Sequence, residues 1–135
     1  MTNNNPPESP ETRSNRRTFP GRADQISEVR RFVRTQLGDH HRTADVALAA
    51  SELTTNAWEH TRSRGTEGTF SVLAELRADD TIRLEVEDAG GPSAFGTYAG
   101  GDEGGRGLDI IEALASKWGV DGDHSSRTVW AEFTS

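Results

Sequence analysis

The sequence predicts an α+β domain in which helices cover one face of a mixed, mostly antiparallel sheet. Two amphipathic helical segments come early, at 23–37 and 43–60, and two strands with alternating apolar side chains follow, at 70–76 and 82–88. A glycine-rich loop, a third helix and two more strands close the chain. Because this order differs from the strand–helix alternation of doubly wound folds, we expect a two-layer arrangement.

Size and composition indicate one domain behind a short tail. The chain has 135 residues, which suits a single core. Residues 1–15 contain no isoleucine, leucine, valine or aromatic residue, so they bury too little apolar surface to offset the entropy lost on ordering. We expect a disordered tail over 1–15 and a folded domain over 16–135.

Charge and cysteine content argue against several classes of function. The net charge of -7 disfavours direct binding of nucleic acid, which relies on many lysine and arginine contacts to phosphates. Without cysteine there is no disulfide framework, thiol nucleophile or cysteine zinc site. No apolar run approaches the roughly 20 residues of a membrane span, and a signal-peptide core is absent. We therefore expect a cytoplasmic protein without a membrane partner.

The first strand and the first two helices follow from local signals. Residues 16–21 predict a short strand that ends at Pro20 and Gly21. Gly38 is a plausible stop for the first helix, and the second begins at Arg42 or Thr43 and runs to about residue 60. Apolar residues recur at helical spacing in both, namely Ile26, Val29, Val33 and Leu37 in the first and Val46, Ala49, Ala50, Leu53 and Ala57 in the second.

Alternation and glycine content predict the remaining elements. A turn at 78–80 joins the two central strands as a hairpin. The segment 88–107 holds eight glycines, which is typical of a functional lid or a disordered insert. A helix at 108–116 and strands at 118–120 and 128–133 follow, and in the last strand Val129, Ala131 and Phe133 share a face.

A polar stripe on the second helix is the first candidate site. Glu52, Asn56 and His60 are spaced by four and therefore share a helix face. Glu52 has the chemistry of a general base toward a hydroxyl, and the amide oxygen of Asn56 is a hard ligand of the kind that Mg²⁺ takes beside phosphate oxygens. The alternative is a solvated helix face.

Two glycine-containing segments are further candidates. The carboxylate of Asp88, at a strand end, is able to accept a hydrogen bond from an amino group such as that of adenine, and Gly90 lets a flat ring approach the backbone. The run Gly105-Arg106-Gly107-Leu108 leads into a helix, where free N–H groups and the positive end of the dipole attract anions. The alternatives are an ordinary turn and a flexible loop.

Other signatures are missing. The sequence contains neither the G-x-x-x-x-G-K-[ST] phosphate loop nor the G-x-S-x-G nucleophile elbow. His40 and His41 are adjacent histidines for which we expect no nearby ligand set.

Taken together and in this order, the motifs E-L-x-x-N-A-x-x-H, D-x-G and G-R-G-L resemble the N, G1 and G2 boxes of the GHKL (Bergerat) ATP-binding superfamily, which includes gyrase, Hsp90, histidine kinases and MutL. With S-E-L-x-x-N-A-x-x-H-T, G-R-G-L-x-I-[IV] and the final R-T-V-W-A-E, the sequence is most similar to actinobacterial anti-sigma-factor serine/threonine kinases. The resemblance covers residues 16–135 and implies a two-layer α/β sandwich that binds ATP with Mg²⁺.

The resemblance implies a role for each matching residue. Glu52 would take the proton of the target hydroxyl, and Asn56 would hold Mg²⁺. Asp88 would contact the adenine amino group, with Gly90 packed near the ring, and residues 91–104 would form the ATP lid. The other implied nucleotide contacts are those of Gly105, Arg106, Gly107 and Leu108 with phosphate, of Thr128 with the adenine end, and of His60, a recurrent family position.

The implied function is a Mg-ATP-dependent kinase that phosphorylates a STAS-type anti-anti-sigma protein and sequesters a sigma factor, commonly as a homodimer. Gly91-Pro92 departs from the longer D-x-G-x-G pattern, the lid has no lysine, and the usual glycine before Thr128 is missing. The intact Glu52 and Asn56 favour the kinase, whereas the altered segment after Gly90 favours the alternative, a non-catalytic module that holds nucleotide or none and sequesters a regulator. A detached histidine-kinase ATPase domain is a third, weaker interpretation, since no helix with a phospho-acceptor histidine is evident.

Overall fold

A computed structural model describes residues 12–60, 68–88, 109–122 and 126–134. Within them the strands are β1 (Arg13–Pro20), β2 (Thr69–Leu76), β3 (Ile82–Asp88), β4 (Lys117–Gly122) and β5 (Arg127–Phe133). The helices are α1 (Ile26–Leu37), preceded by a 3-10 turn at Ala23–Gln25, α2 (Thr43–His60) and α3, of which residues 109–114 are described. No helix in these ranges is long and apolar enough to cross a membrane.

The five strands form one sheet in the order β1-β2-β3-β5-β4, and each neighbouring pair is antiparallel. α1 and α2 pack on each other and against β2 and β3, on a single face of the sheet. The hairpin between β2 and β3 turns where the sequence predicts it, and Asp80 adopts a φ of 75° there. The predicted α+β class, with helices on one face of a mostly antiparallel sheet, is confirmed.

The core lies between this face of the sheet and the two long helices. Phe19 of β1 stacks on Phe70 of β2 at a centroid distance of 5.8 Å and meets Phe32 of α1 edge-on at 6.0 Å. The apolar stripe predicted for α2 is buried throughout, whereas in α1 Ile26 stays partly exposed. The sheet contributes Val72, Ala74, Ile82, Leu84, Val86, Val129, Ala131 and Phe133 to the same core.

The first strand begins earlier than predicted. Arg13 pairs with Leu76 of β2, so three residues of the expected tail belong to the sheet. Their side chains are exposed, so this part of the strand is held by backbone pairing with β2 and not by apolar burial. Side-chain composition does not report backbone pairing of this kind, and residues 1–11 lie outside the described ranges.

The face of the sheet that the helices leave uncovered carries a network of ion pairs. Glu132 of β5 lies 2.8 Å from Arg83, 3.3 Å from Arg77 and 3.6 Å from Lys117. Burial opposes ionisation of Glu132, but the Arg83 hydrogen bond and the charges of Arg77 and Lys117 hold the pKa of its carboxyl below the ordinary value. Charged pairing thus stabilises the face that lacks apolar cover.

Trp130 lies on this uncovered face, close to the backbone of β4. A Cβ added to Gly119 would come within 2.8 Å of the indole ring, closer than side chains tolerate. The guanidinium of Arg83 lies 4.6 Å from the centroid of the same ring and limits its movement. Glycine at 119 is therefore required by the close approach of Trp130.

Replacing Glu132 with glutamine is expected to make the free energy of unfolding depend less on pH in the acid range. Because its folded-state pKa lies below the ordinary 4.5, the carboxylate contributes stability above that value, and the contribution disappears as pH falls through the folded-state pKa. Urea unfolding midpoints measured between about pH 3 and 7 report this dependence. Glu112→Gln, on the exposed side of α3, is the control, and identical pH profiles for the two variants would contradict the assignment.

Replacing Gly119 with alanine is expected to destabilise the protein by about 1–3 kcal/mol, because the new methyl group overpacks the site against Trp130. The double change Gly119→Ala and Trp130→Leu removes the crowding, so its effect should be smaller than the sum of the single effects. Urea unfolding of the four proteins measures this coupling, and strictly additive effects would show that the indole does not restrict residue 119.

Candidate functional site

The C-terminal half of α2 lies at the same end of the sheet as the last residue of β3. Arg42, just before α2, lies over the ring of Phe133, whose strand partner is Ile82, the first residue of β3. α2 packs against β3 and the two elements start close together, so we infer that they run in roughly the same direction. At about 1.5 Å per helical residue and about 3.3 Å per strand residue, Asn56 and Asp88 each lie about 20 Å from these aligned starts.

Polar side chains on this half of α2 fall into two groups. The hydroxyls of Ser51, Thr54 and Thr55 each donate to a carbonyl oxygen one turn earlier, at distances of 3.1, 2.8 and 2.7 Å. The Asn56 side-chain nitrogen, in contrast, is buried and has no hydrogen-bond partner among the described residues, and half-buried Glu52 forms no ion pair within them. An unsatisfied buried donor costs about 1–3 kcal/mol, a cost that a ligand accepting its hydrogen bond would offset.

Asp88 and Arg127 form a buried ion pair where β3 ends and β5 begins. Nη2 of Arg127 donates to Oδ2 of Asp88 at 3.2 Å, and the two side chains are 0% and 1% exposed. The residues are direct partners in the antiparallel register, and both belong to the helix-covered face by alternation with buried Val86 and Val129. A carboxylate and a guanidinium therefore close the core at the end where Asn56 lies.

Arg127, and not the predicted Thr128, lies on the helix-covered face of β5. Alternation with Val129, Ala131 and Phe133 puts Arg127 on the helix-covered face and Thr128 on the opposite face, beside Glu87. The described structure therefore does not bring the Thr128 side chain to Asp88. The period of two already implied this, because the face shared by Val129 includes Arg127.

Several predicted site residues lie outside the described ranges. They are the lid 91–104, Gly90, and the phosphate-binding run Gly105, Arg106, Gly107 and Leu108. His60 ends α2, but its side chain is likewise outside the description. Their roles remain predictions.

A second polar cluster sits at the opposite end of the sheet. Nε2 of His40 lies 3.1 Å from Oδ1 of Asp80, and its ring stacks on His41 at 4.6 Å. The expectation of no nearby ligand set is thus wrong, because the β2–β3 turn brings Asp80 close. Nδ1 of His40 accepts the backbone N–H of Arg42, so the neutral ring carries its proton on Nε2, facing Asp80. This tautomer disfavours a metal on Nε2 and suits a hydrogen bond that joins the α1–α2 connection to the β2–β3 turn.

The sequence model described as a histidine kinase-like ATPase domain matches residues 19–133. The chain belongs to this family. The predicted membership of the ATP-binding superfamily is thereby confirmed, and membership of an ATPase family implies ATP as the ligand. No curated protein matches the sequence.

Two solved structures are similar in fold. The first is the crystal structure of the RsbU and RsbW domains of Rv1364c from Mycobacterium tuberculosis, with a TM-score of 0.70 and 24% identity. The similarity covers 90% of this chain and 32% of that one, so this chain spans about a third of its length. The second is the SiaB-SiaC complex from Pseudomonas aeruginosa, with a TM-score of 0.64, 16% identity and coverage of 87% and 88%. Both likenesses show the fold.

The residues at this end of the sheet fit Mg²⁺ and ATP. The buried Nδ2 of Asn56, without a described partner, is a donor that suits a phosphate oxygen, and the amide oxygen of the same side chain is a ligand type that Mg²⁺ takes. A buried carboxylate suits the amino group of a purine, because it accepts hydrogen bonds and donates none when ionised. Asn56 would hold the metal and Asp88 the base.

Replacing Asn56 with leucine is expected to maintain stability or raise it by up to about 1 kcal/mol, because an unsatisfied amide gives way to an apolar group of similar shape. Binding of ATP in the presence of Mg²⁺ should be lost. Urea unfolding and calorimetric titration measure the two properties separately.

Thr54→Val is the matched control, because the Thr54 hydroxyl already has partners in the helix. It should lose about 1 kcal/mol of stability and keep ATP binding. A larger loss of stability for Asn56→Leu than for Thr54→Val would identify Asn56 as a structural residue.

Proposed function

We propose that this protein is a Mg²⁺-dependent protein serine/threonine kinase of the anti-sigma type. The observation that carries the proposal is the buried side-chain nitrogen of Asn56, without a partner in the described residues and one turn beyond half-buried Glu52. Membership of the histidine kinase-like ATPase family supports ATP as the phosphoryl donor. The two α2 residues then lie at the end of the sheet where Asp88 would hold the base.

Each residue has one task in this proposal. Asp88 accepts a hydrogen bond from the purine amino group, and Asn56 offers its amide oxygen to Mg²⁺. Glu52 is half-buried and has no described ion-pair partner, so its carboxylate is available to accept the proton of an incoming hydroxyl group. When bound, Mg-ATP supplies the γ-phosphoryl group and the positive charge that offsets its oxygens.

The phosphate end of the site is proposed from the sequence motifs. The run from Gly105 to Leu108 has the glycines and the arginine of an anion-binding helix start, with residues 91–104 as the lid before it and Gly90 near the base. His60 follows Asn56 by one helical turn, which supports a position near the same ligand. Thr128 is proposed only as a neighbour of the base-binding end, since its side chain belongs to the opposite face.

The acceptor that we propose is a serine or threonine of a STAS-type anti-anti-sigma protein, in the cytoplasm. The unphosphorylated antagonist would compete with a sigma factor for this protein, and a homodimer would present the surface twice. Support comes from the motif resemblance and from the fold shared with a structure that contains an RsbW domain. Neither nucleic acid nor a membrane is needed for this activity.

Replacing Glu52 with glutamine is expected to keep Mg-ATP affinity within about twofold and to lower phosphoryl transfer by about 10²–10⁴-fold, the usual contribution of a general base. The measurement is transfer of label from γ-labelled ATP to a purified STAS-domain protein and to its serine-to-alanine variant. Glu28→Gln on α1 is the matched control and should retain the wild-type rate.

Each outcome has a distinct meaning. Mg-dependent ATP binding with transfer that requires Glu52 supports the kinase. Wild-type transfer by Glu52→Gln would overturn the assignment of the base. ATP binding with no transfer to any STAS partner would favour the non-catalytic module that sequesters a regulator. No binding at millimolar ATP would reject the nucleotide site.

A further inference from the structure

Arg127 is a charged residue buried among apolar ones. It is the largest side chain that the described part of the chain buries completely, and its neighbours on the same face of β5 are Val129, Ala131 and Phe133. Its guanidinium contacts the one carboxylate to which base recognition is assigned, Asp88, at 3.2 Å. The charge of Arg127 therefore affects whether the Asp88 carboxyl is ionised.

Stability alone is a weak reason for such a pair. Removing two charges from water is costly, and buried ion pairs are often replaceable by apolar residues without loss of stability. Arg83 shows how the same sheet pairs an arginine without full burial, since its side chain keeps 21% exposure beside Glu85 and Glu132. The buried position of Arg127 instead places its charge against Asp88.

The charge decides which hydrogen bonds Asp88 is able to make. A buried carboxyl without a counter-charge tends toward the neutral form, which donates as well as accepts. An arginine remains charged in a protein interior, so a guanidinium opposite Asp88 favours the carboxylate, which only accepts. Adenine presents an amino donor at position 6, whereas guanine and hypoxanthine present an oxygen acceptor.

We propose that Arg127 is a positioning residue that keeps Asp88 an acceptor and so makes the site select 6-amino over 6-oxo purine nucleotides. The inference rests on the proposed function, because it assigns base recognition to Asp88. A carboxylate has about four lone-pair sites, and the hydrogen bond from Arg127 to Oδ2 occupies one of them.

The test compares the affinities of ATP and inosine triphosphate, which differ in the amino and oxo groups at position 6 of the purine. Calorimetric titration with Mg²⁺ gives both constants for the wild type, Arg127→Met and Arg127→Lys. The wild type should prefer ATP by about tenfold or more, and Arg127→Met should reduce that ratio by about tenfold. Arg127→Lys should retain part of the preference, because it keeps the charge but loses the planar fork.

The ratio separates positioning from a purely structural role. Partial unfolding lowers both affinities by the same factor, so it leaves the preference unchanged. Arg83→Met is the matched control, since Arg83 pairs with glutamates on the opposite face of the sheet and should keep the wild-type ratio.

A second variant keeps the inference testable if Arg127→Met fails to fold. In Asp88→Asn, Arg127 would orient the amide oxygen toward itself and the amide nitrogen toward the purine, so the preference should move toward inosine triphosphate. An unchanged ratio in a folded Arg127→Met would overturn the inference while leaving the ATP site intact, whereas an unchanged ratio in Asp88→Asn would also overturn the assignment of base recognition to Asp88. Failure of the wild type to bind either nucleotide would overturn the proposed function as well.

Discussion

The structure depends on the alternation of side chains across a sheet that is covered on one side only. In β3 and β5 every second residue faces α1 and α2, and these positions are apolar until the last residue of β3 and the first of β5. The intervening positions face away from the helices and carry arginine and glutamate in β3, and threonine, tryptophan and glutamate in β5. Because the strand period is two, a single pattern builds the apolar core and the charged outer face together. The helices then need only one apolar stripe each, which the sequences of α1 and α2 provide.

The same constraint explains where a binding site is able to form. At the end of β3 the alternation continues but the residue type changes, so Asp88 is held at a core position with Arg127 as its partner. α2 runs in the direction of β3 and delivers Asn56 to the same end, again at a core position. Polar groups thus occupy the end of the apolar layer, where they are desolvated and held by rigid elements. Such groups interact more strongly with a ligand than they would on a solvated surface.

Much of the fold was predictable because it rests on periodicity. The stripe from Val46 to Ala57 identified the buried face of α2, and the alternation from Phe70 onward identified the central hairpin. Two features were hidden. Residues 13–15 join β1 through backbone pairing, which side-chain composition does not report. Asp80 reaches His40 across 40 residues of sequence, and only the turn geometry brings them together.

The sequence proposed the residues of the candidate site but gave little of its geometry. Spacing by four correctly put Glu52 and Asn56 on one side of α2, but it did not reveal that Asn56 is buried while Glu52 is only half-buried. Motif order drew attention to Thr128, whereas the strand period assigns the covered face to Arg127. A motif shows which residue types recur, whereas the two-residue period of a strand shows which face of the sheet each side chain occupies. Where the two disagree, the period follows from backbone geometry and therefore constrains the chemistry of the site more directly. For this chain the proposed recognition of a purine therefore depends on the Asp88–Arg127 pair and not on Asp88 alone.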